Sequence, residues 1–306
     1  MLTSHIKPLF PLEFPDGYPL QCSSVGKPSS ALRRKFWFYV HEWLLKPLSG
    51  WYVRLCGVPA EPAIYPLPFG LILKSHHRVR EQEGLAMNLA RAMGVPAPRF
   101  LSFGSIDDPS VFPSLLMTRV PGMELEYLTD DQVDFDVLKD DLIKILTSMR
   151  SFASPWGDAV CGVDGGPLTG PLMPASPLPP SANEAGFQQA IRDVAAMTFT
   201  SKEQIFQRAV VATERFFSLP THAIVFTHGD LNRHNIMVGV DGHISGIIDW
   251  EAAGWLPDYW EVSVIAFLPG RTWGQFMHKK VTAGVYAAEI MGHSEMFGLI
   301  SGTLRW

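Results

Sequence analysis

The sequence predicts an α+β chain in two lobes, a mostly antiparallel sheet carrying one helix followed by a mainly helical region that a β-hairpin interrupts. Three observations predict it. The chain has 306 residues, 47% hydrophobic and 18% charged, enough to bury the cores of two packed lobes but not of several domains. Between residues 63 and 120 short apolar runs alternate with Pro, Gly and polar turns, and one helical pattern lies among them. From Thr129 the apolar spacing turns helical, except where Asp241-Gly242 divides two short strands.

Residues 1 to 30 are rich in Pro, Ser and Gly and read as an extended arm leading into a helix from Ser30 to Leu45. Ala63 to Lys74 holds two apolar runs around a Pro and a Gly, as strands joined by a turn do, with Lys74 closing the second. Val79 to Met93 is a helix stopped by Gly94, with Pro96 just beyond. Arg99 to Phe103 and Phe112 to Val120 complete the sheet. Thr129 with Gln132 resembles a capping box, and Val137, Leu138, Leu142, Ile145, Leu146 and Met149 share one face of a long core helix. Residues 155 to 182, dense in Pro and Gly, read as a long ordered loop or a lid. Helical patterns over Asn183 to Met197 and Lys202 to Phe217 precede a strand at Ala223 to Thr227, and helices resume near Asp258. The resulting division is 1–50 for the arm and its helix, 51–120 for a first lobe and 121–306 for a second.

A formal charge of -5 supplies no general attraction for nucleic acid or anionic lipid, which disfavours a dedicated nucleic-acid binder. Cys22, Cys56 and Cys161 are too scattered for a disulfide framework or a zinc cluster, and suit a reducing compartment. No secretory pattern opens the chain, so a cytoplasmic location is expected. Phe36 to Leu45 (FWFYVHEWLL) is far shorter than the ~20 residues of a bilayer span. It follows Arg33, Arg34 and Lys35 and could lie on a membrane surface, but packing on the protein itself is preferred, so no membrane partner is expected.

The chemistry concentrates in His228 to Asn235 (HGDLNRHN) and Gly246 to Glu251 (GIIDWE). Asp241-Gly242 supplies a tight turn between Ile236 to Val240 and His243 to Ile248. With those two residues as the loop, Val240 faces His243 and the register sets Asn235 opposite Ile248, one residue from Asp249. Asp230, Asn235 and Asp249 then converge on one mouth. A carboxylate and an amide oxygen are hard ligands that suit Mg²⁺ in company with phosphates. In phosphoryl transfer Asp230 would orient a hydroxyl and accept its proton, while Asn235 and Asp249 hold the metal. Lys74 would meet the α- and β-phosphates and Glu83 would hold Lys74, with Glu81, about 200° around the helix, as the competing partner.

These residues resemble the aminoglycoside phosphotransferase and choline kinase family, of protein-kinase-like fold. HGDLNRHN matches its H-G-D-x-x-x-x-N loop and IIDWE its metal motif, and similarity extends over residues 60 to 270. GVPAP, MTRVPG and GWLPDYWE resemble segments of eukaryotic, especially fungal, members. The resemblance implies a nucleotide-binding N-lobe, a catalytic and acceptor-binding C-lobe, ATP and Mg²⁺ as cofactors, and the backbone from Thr118 to Val120 as the adenine hinge. Gly229 stands where protein kinases carry Arg, and Asp249-Trp250-Glu251 replaces D-F-G, so the acceptor is expected to be a small-molecule hydroxyl and not a protein. No G-x-G-x-x-G precedes Lys74; only Gly70 lies close.

Other histidines (His76, His77, His222, His234, His243) have no metal-ligand spacing and receive no role, and His228 is expected to brace the loop. Arg233 is a further contact for the γ-phosphate, with a salt-bridging arginine as the alternative. Trp255, Asp258, Trp260 and Glu261 either line the acceptor pocket or belong to the core. The expected activity is Mg-dependent transfer of the γ-phosphate of ATP to a small-molecule hydroxyl. Its rivals are a degenerate kinase-like binding protein and a choline or lipid-headgroup kinase at a membrane surface.

Overall fold

The computed structural model describes residues 20–21, 25–59, 61–170, 173, 177–199, 214, 218–266 and 272–300. The pattern expected over Lys202 to Phe217 lies largely outside the described residues, as does Cys22.

Strand β1 (Leu20–Gln21) opens the described chain, followed by helix α1 (Ala31–Val40), a π-helical turn at His41–Leu45, and helix α2 (Lys46–Cys56). The Ser30 side chain caps α1 by accepting from the Arg33 amide. The helix was expected to stop at Leu45 but runs on to Cys56. Pro47 lies where the π-turn passes into α2, and Gly57 ends α2 in the left-handed region (φ 63°).

The N-lobe sheet has the order β2-β3-β5-β4, all antiparallel: β2 (Ile64–Leu67), β3 (Leu71–Ser75), β4 (Phe100–Gly104) and β5 (Ser114–Thr118). Pro66 is tolerated because β2 is the edge strand. Helix α3 (Glu81–Ala92) follows the lysine strand and buries Leu85, Met87 and Leu89 against the shared core. Helix α1 lies close on β4: a Cβ on Gly104 would stand 2.6 Å from the Phe38 nitrogen. Buried His41 fastens the π-turn through Ser114 Oγ at 2.8 Å and Ser102 Oγ at 2.9 Å. The expected packing of Phe36 to Leu45 on the protein therefore holds for one face only. Phe38 and His41 are buried, while Phe36, Tyr39, Trp43 and Leu44 are exposed.

The C-lobe contains β6 (Met123–Glu124), helix α4 (Phe135–Arg150), β7 (Phe152–Ala153), which pairs with β1, β8 (Cys161–Gly162), and helix α5 (Glu184–Phe199). Next come β9 (Ile224–Thr227), β10 (Ile236–Val238), β11 (Ile244–Ile247) and β12 (Gly254–Pro257), then helices α6 (Trp260–Ala266), α7 (Thr272–Phe276) and α8 (Ala287–Ile300). The capping box at Thr129 and Gln132 exists but closes a single 3₁₀ turn; Asp134 caps the long helix α4. A lone box does not say how far its helix extends. The Pro/Gly-rich region is no free lid where described. Bridges Val160–Ser181 and Leu168–Leu178 tie it down, and Val160, Cys161, Val163, Leu168 and Leu178 are buried.

The β10–β11 hairpin has the expected register where it matters. Ile236 pairs with Ile247, and the Ile248 amide donates to the Asn235 carbonyl at 2.9 Å. At the tip the register shifts beyond Met237. A type I′ loop would need positive φ at both Asp241 and Gly242, and only Gly242 (φ 80°) adopts it. The turn instead closes from the Gly242 amide to the Gly239 carbonyl.

Candidate active site

Lys74 reaches the site from β3 with its side chain buried. Its ammonium donates to Glu83 Oε1 at 2.9 Å and to Asp249 Oδ1 at 2.6 Å, with Glu251 Oε2 at 3.6 Å. Of the two acids at the start of α3, Glu83 faces Lys74. Glu81 turns to Arg34 Nε (2.9 Å) and accepts from the Ser29 amide (2.8 Å). Burial works against the Lys74 charge, yet Glu83, Asp249 and Glu251 together hold its pKa well above the usual lysine value. Burial pushes the Glu83 carboxyl up to about 7 despite Lys74. Burial and the Asp249 charge raise Glu251. Burial opposes the Asp249 charge as well, but Lys74 outweighs it and holds that carboxyl below its ordinary value.

The loop between β9 and β10 carries Asp230 and Asn235. His228 braces it as expected: its Nδ1 accepts from the Asp230 amide at 3.2 Å, so Nε2 is the nitrogen that donates to the Ile248 carbonyl at 2.9 Å. Gly229 is required on steric grounds. Its φ is 83°, and a Cβ would sit 2.5 Å from the Ala252 carbonyl oxygen. Asn235, buried, donates from Nδ2 to the Asp230 carbonyl (2.8 Å) and carboxylate (3.1 Å). Its amide oxygen is therefore the atom available to a cation. Burial would raise the Asp230 carboxyl, but contacts with His234, His228 and Asn232 outweigh it and hold the group below its ordinary value.

Asp249 adopts the left-handed conformation (φ 60°, ψ 66°) just after β11, a costly backbone for a residue with a Cβ. Trp250 holds it there. Its indole donates to the Ile247 carbonyl at 2.9 Å, stacks on Phe226 at 5.8 Å and meets His228 edge-on at 4.7 Å.

Three further residues belong to the site or its support. Glu251 lies beside Lys74 and 3.3 Å from Arg78; the sequence signal was its place inside IIDWE. Glu261 accepts from the backbone amides of His228 (2.7 Å) and Gly229 (3.3 Å), which makes it a brace for the loop and not part of a pocket wall. Trp255, Asp258 and Trp260 are likewise buried in the core. His234 approaches Asp230 at 3.8 Å, and no spacing rule pointed to it.

The two remaining predicted contacts have the following surroundings. The Arg233 guanidinium is engaged by the Leu125 and Leu128 carbonyls (3.1 and 2.9 Å) and by Asp130 (3.1 Å), so it clamps the segment before α4 and does not offer itself to a phosphate. In the segment expected to meet adenine, the Thr118 and Arg119 amides already donate to the Arg99 and Gly70 carbonyls, while Val120 is buried beside Gly246.

The donor set fits a divalent cation. Glu83, Asp249 and Glu251 bring carboxylate oxygens within 4.8 Å of one another, and Glu83 Oε2 and Glu251 Oε2 are buried without a hydrogen-bond partner. Lys74 and Arg78 face three clustered carboxylates, and hard oxygen donors left without a partner suit Mg²⁺.

Known proteins share this architecture. The aminoglycoside phosphotransferase APH(4)-Ia, as a thermostable mutant in its apo form, superposes with a TM-score of 0.59 at 14% identity, over 82% of this chain and 89% of that one. A further variant of that enzyme, in ternary complex with AMP-PNP and hygromycin B, gives 0.60 at 13% identity, over 84% and 90%. At such identity the likeness establishes the fold, which is the kinase-like one expected from the motifs. Curated protein sequences give no match. The sequence itself matches the model of the phosphotransferase enzyme family across residues 70–288, a span that holds Lys74, Glu83 and both catalytic-type motifs, and the chain belongs to that family.

Proposed function

We propose that this protein transfers the γ-phosphate of ATP to a hydroxyl of a small molecule, with residues 51–120 serving nucleotide binding and 121–306 catalysis and acceptor binding. The observation that carries the reading is the cluster in which Lys74, held by Glu83, meets Asp249 beside the Asp230 loop. Support comes from the family match and from neighbours solved with ADP or AMP-PNP and hygromycin B.

In this reading Lys74 binds the α- and β-phosphate oxygens and Glu83 fixes its position. Asn235 and Asp249, with Glu251 beside them, would hold Mg²⁺, which when bound neutralises phosphate charge. The backbone near Val120 meets the adenine. Asp230 orients the acceptor hydroxyl and takes its proton as the acceptor oxygen bonds to the γ-phosphorus. The bond from that phosphorus to the β,γ-bridging oxygen breaks, and its electron pair leaves on ADP. A depressed Asp230 pKa keeps the carboxylate ionised and able to accept. The acceptor is a hydroxylated small molecule; hygromycin B belongs to the neighbours' complexes alone.

A second reading, a kinase-like binding protein without turnover, draws on one feature. The strand pair leading to Lys74 turns through Pro68, Phe69 and Gly70 in place of a glycine-rich loop, with Phe69 fully exposed at its tip. Calorimetry with ATP, with and without Mg²⁺, on wild type and Asp249→Ala, beside an assay for ADP released with hydroxylated acceptors, separates the two. Mg-dependent binding that the substitution abolishes supports the transferase; absence of nucleotide binding overturns it.

A further inference from the structure

We propose that the outer face of the α1–α2 helix docks on an anionic lipid surface. The inference stands on this helix alone, not on the phosphotransfer reading.

The helix has two opposed faces. Phe38, His41 and Ser49 are buried on one side. On the other, Leu32, Phe36, Tyr39, Trp43, Leu48, Trp51 and Leu55 are exposed, with Trp43 at 78% and Trp51 at 68%. At 100° per residue, Trp51 and Leu55 would fall about 80° and 120° around the helix from Trp43. The π-turn at His41–Leu45 corrects this. Its i→i+5 bonding takes in one extra residue, which rotates everything beyond it by about 100° and returns Trp51 and Leu55 to the line of Leu32, Phe36 and Trp43. The result is one apolar stripe about 35 Å long.

A soluble monomer rarely leaves such a stripe open. Its chemistry matches a bilayer interface, where Trp and Tyr settle at the headgroup level and flanking cations meet anionic lipid. Residues 31–56 contain Arg33, Arg34, Lys35, Lys46 and Arg54 against the single acid Glu42, in a chain whose net charge is -5. Glu42 is paired with Lys46, and Arg34 with Glu81, while Arg33, Lys35 and Arg54 are exposed. Among the described residues no helix is long and apolar enough to cross a membrane, so the contact is a surface one.

Co-sedimentation of the full chain with vesicles, without nucleotide, tests the proposal. Vesicles containing phosphatidylserine should pellet the protein, and pure phosphatidylcholine should bind it about a hundredfold more weakly, because three exposed cations each favour the anionic surface. The Trp43→Ser, Trp51→Ser double variant should stay in the supernatant while melting at the wild-type temperature, since both side chains are exposed. Arg33→Glu with Arg54→Glu should lose only the preference for phosphatidylserine. No pelleting of wild type, or unchanged pelleting of the tryptophan variant, overturns the proposal. So does a concentration-dependent dimer in sedimentation velocity that the tryptophan variant dissolves, which would seat a second copy on the stripe. Loss of the phosphotransfer reading would leave every one of these outcomes as it stands.

Discussion

Lys74 donates to Asp249 Oδ1 at 2.6 Å across 175 residues of sequence, so the cation of the N-lobe sheet and the acid at the end of the C-lobe hairpin neutralise each other directly. Under the proposed function, a phosphate would compete with Asp249 for Lys74 and a divalent cation with Lys74 for Asp249, so nucleotide and metal binding would be coupled through shared charge.

That arrangement distinguishes Glu83 from Glu81. Replacing Glu83 by Gln removes the charge that positions Lys74, and transfer should fall about 10²-fold, the usual consequence of small misplacement. Glu81→Gln loses only the Arg34 pair, with one partner half-exposed, and should leave turnover within about twofold. Steady-state kinetics on the two variants, with melting curves to confirm folding, checks both.

Asp230→Asn keeps the shape of the loop and removes the proton acceptor. Turnover should drop by about 10²–10⁴-fold with little change in Mg-dependent ATP affinity. Calorimetry beside a product assay measures the split; a variant that turned over normally would falsify the assignment.

Arg233→Ala should act on stability and not on the nucleotide. Its side chain is mostly buried and its guanidinium satisfies two carbonyls of the segment before α4. Loss of bonds from a charged donor costs about 1–3 kcal/mol. Denaturant melts should show the loss while ATP affinity stays at the wild-type level.

His222 makes stability depend on pH. It is buried between Glu184 (2.9 Å) and Glu289 (3.3 Å); burial opposes its charge, but these carboxylates raise its pKa from 6.5 to about 9. Because the folded value lies above the unfolded one, the stabilisation is full below pH 6.5 and is lost as pH rises through 9, up to about 3 kcal/mol. Thermal melts across that window should decline for wild type, and His222→Gln should flatten this component.

Much of the architecture is legible in the sequence because it is local. Strand-turn-strand patterns place Lys74 on a strand and Glu83 on the next helix, and a two-residue side-chain period sets Asn235 against Ile248. The motifs HGDLNRHN and IIDWE carry the family. What pattern could not supply were choices made between distant groups. Arg233 sits close to Asp230 and Asn235 in sequence, but its bonds go to carbonyls over a hundred residues away. Glu81 remains a competitor to Glu83 for Lys74 until α3 docks and its rotation sends one to each cation. The π-turn at His41–Leu45 is invisible to a 3.6-residue period, since that period assumes the very helix the turn departs from. Periodicity reports which face of a segment is apolar; which partner each polar group meets is settled only when burial removes water as the competing one.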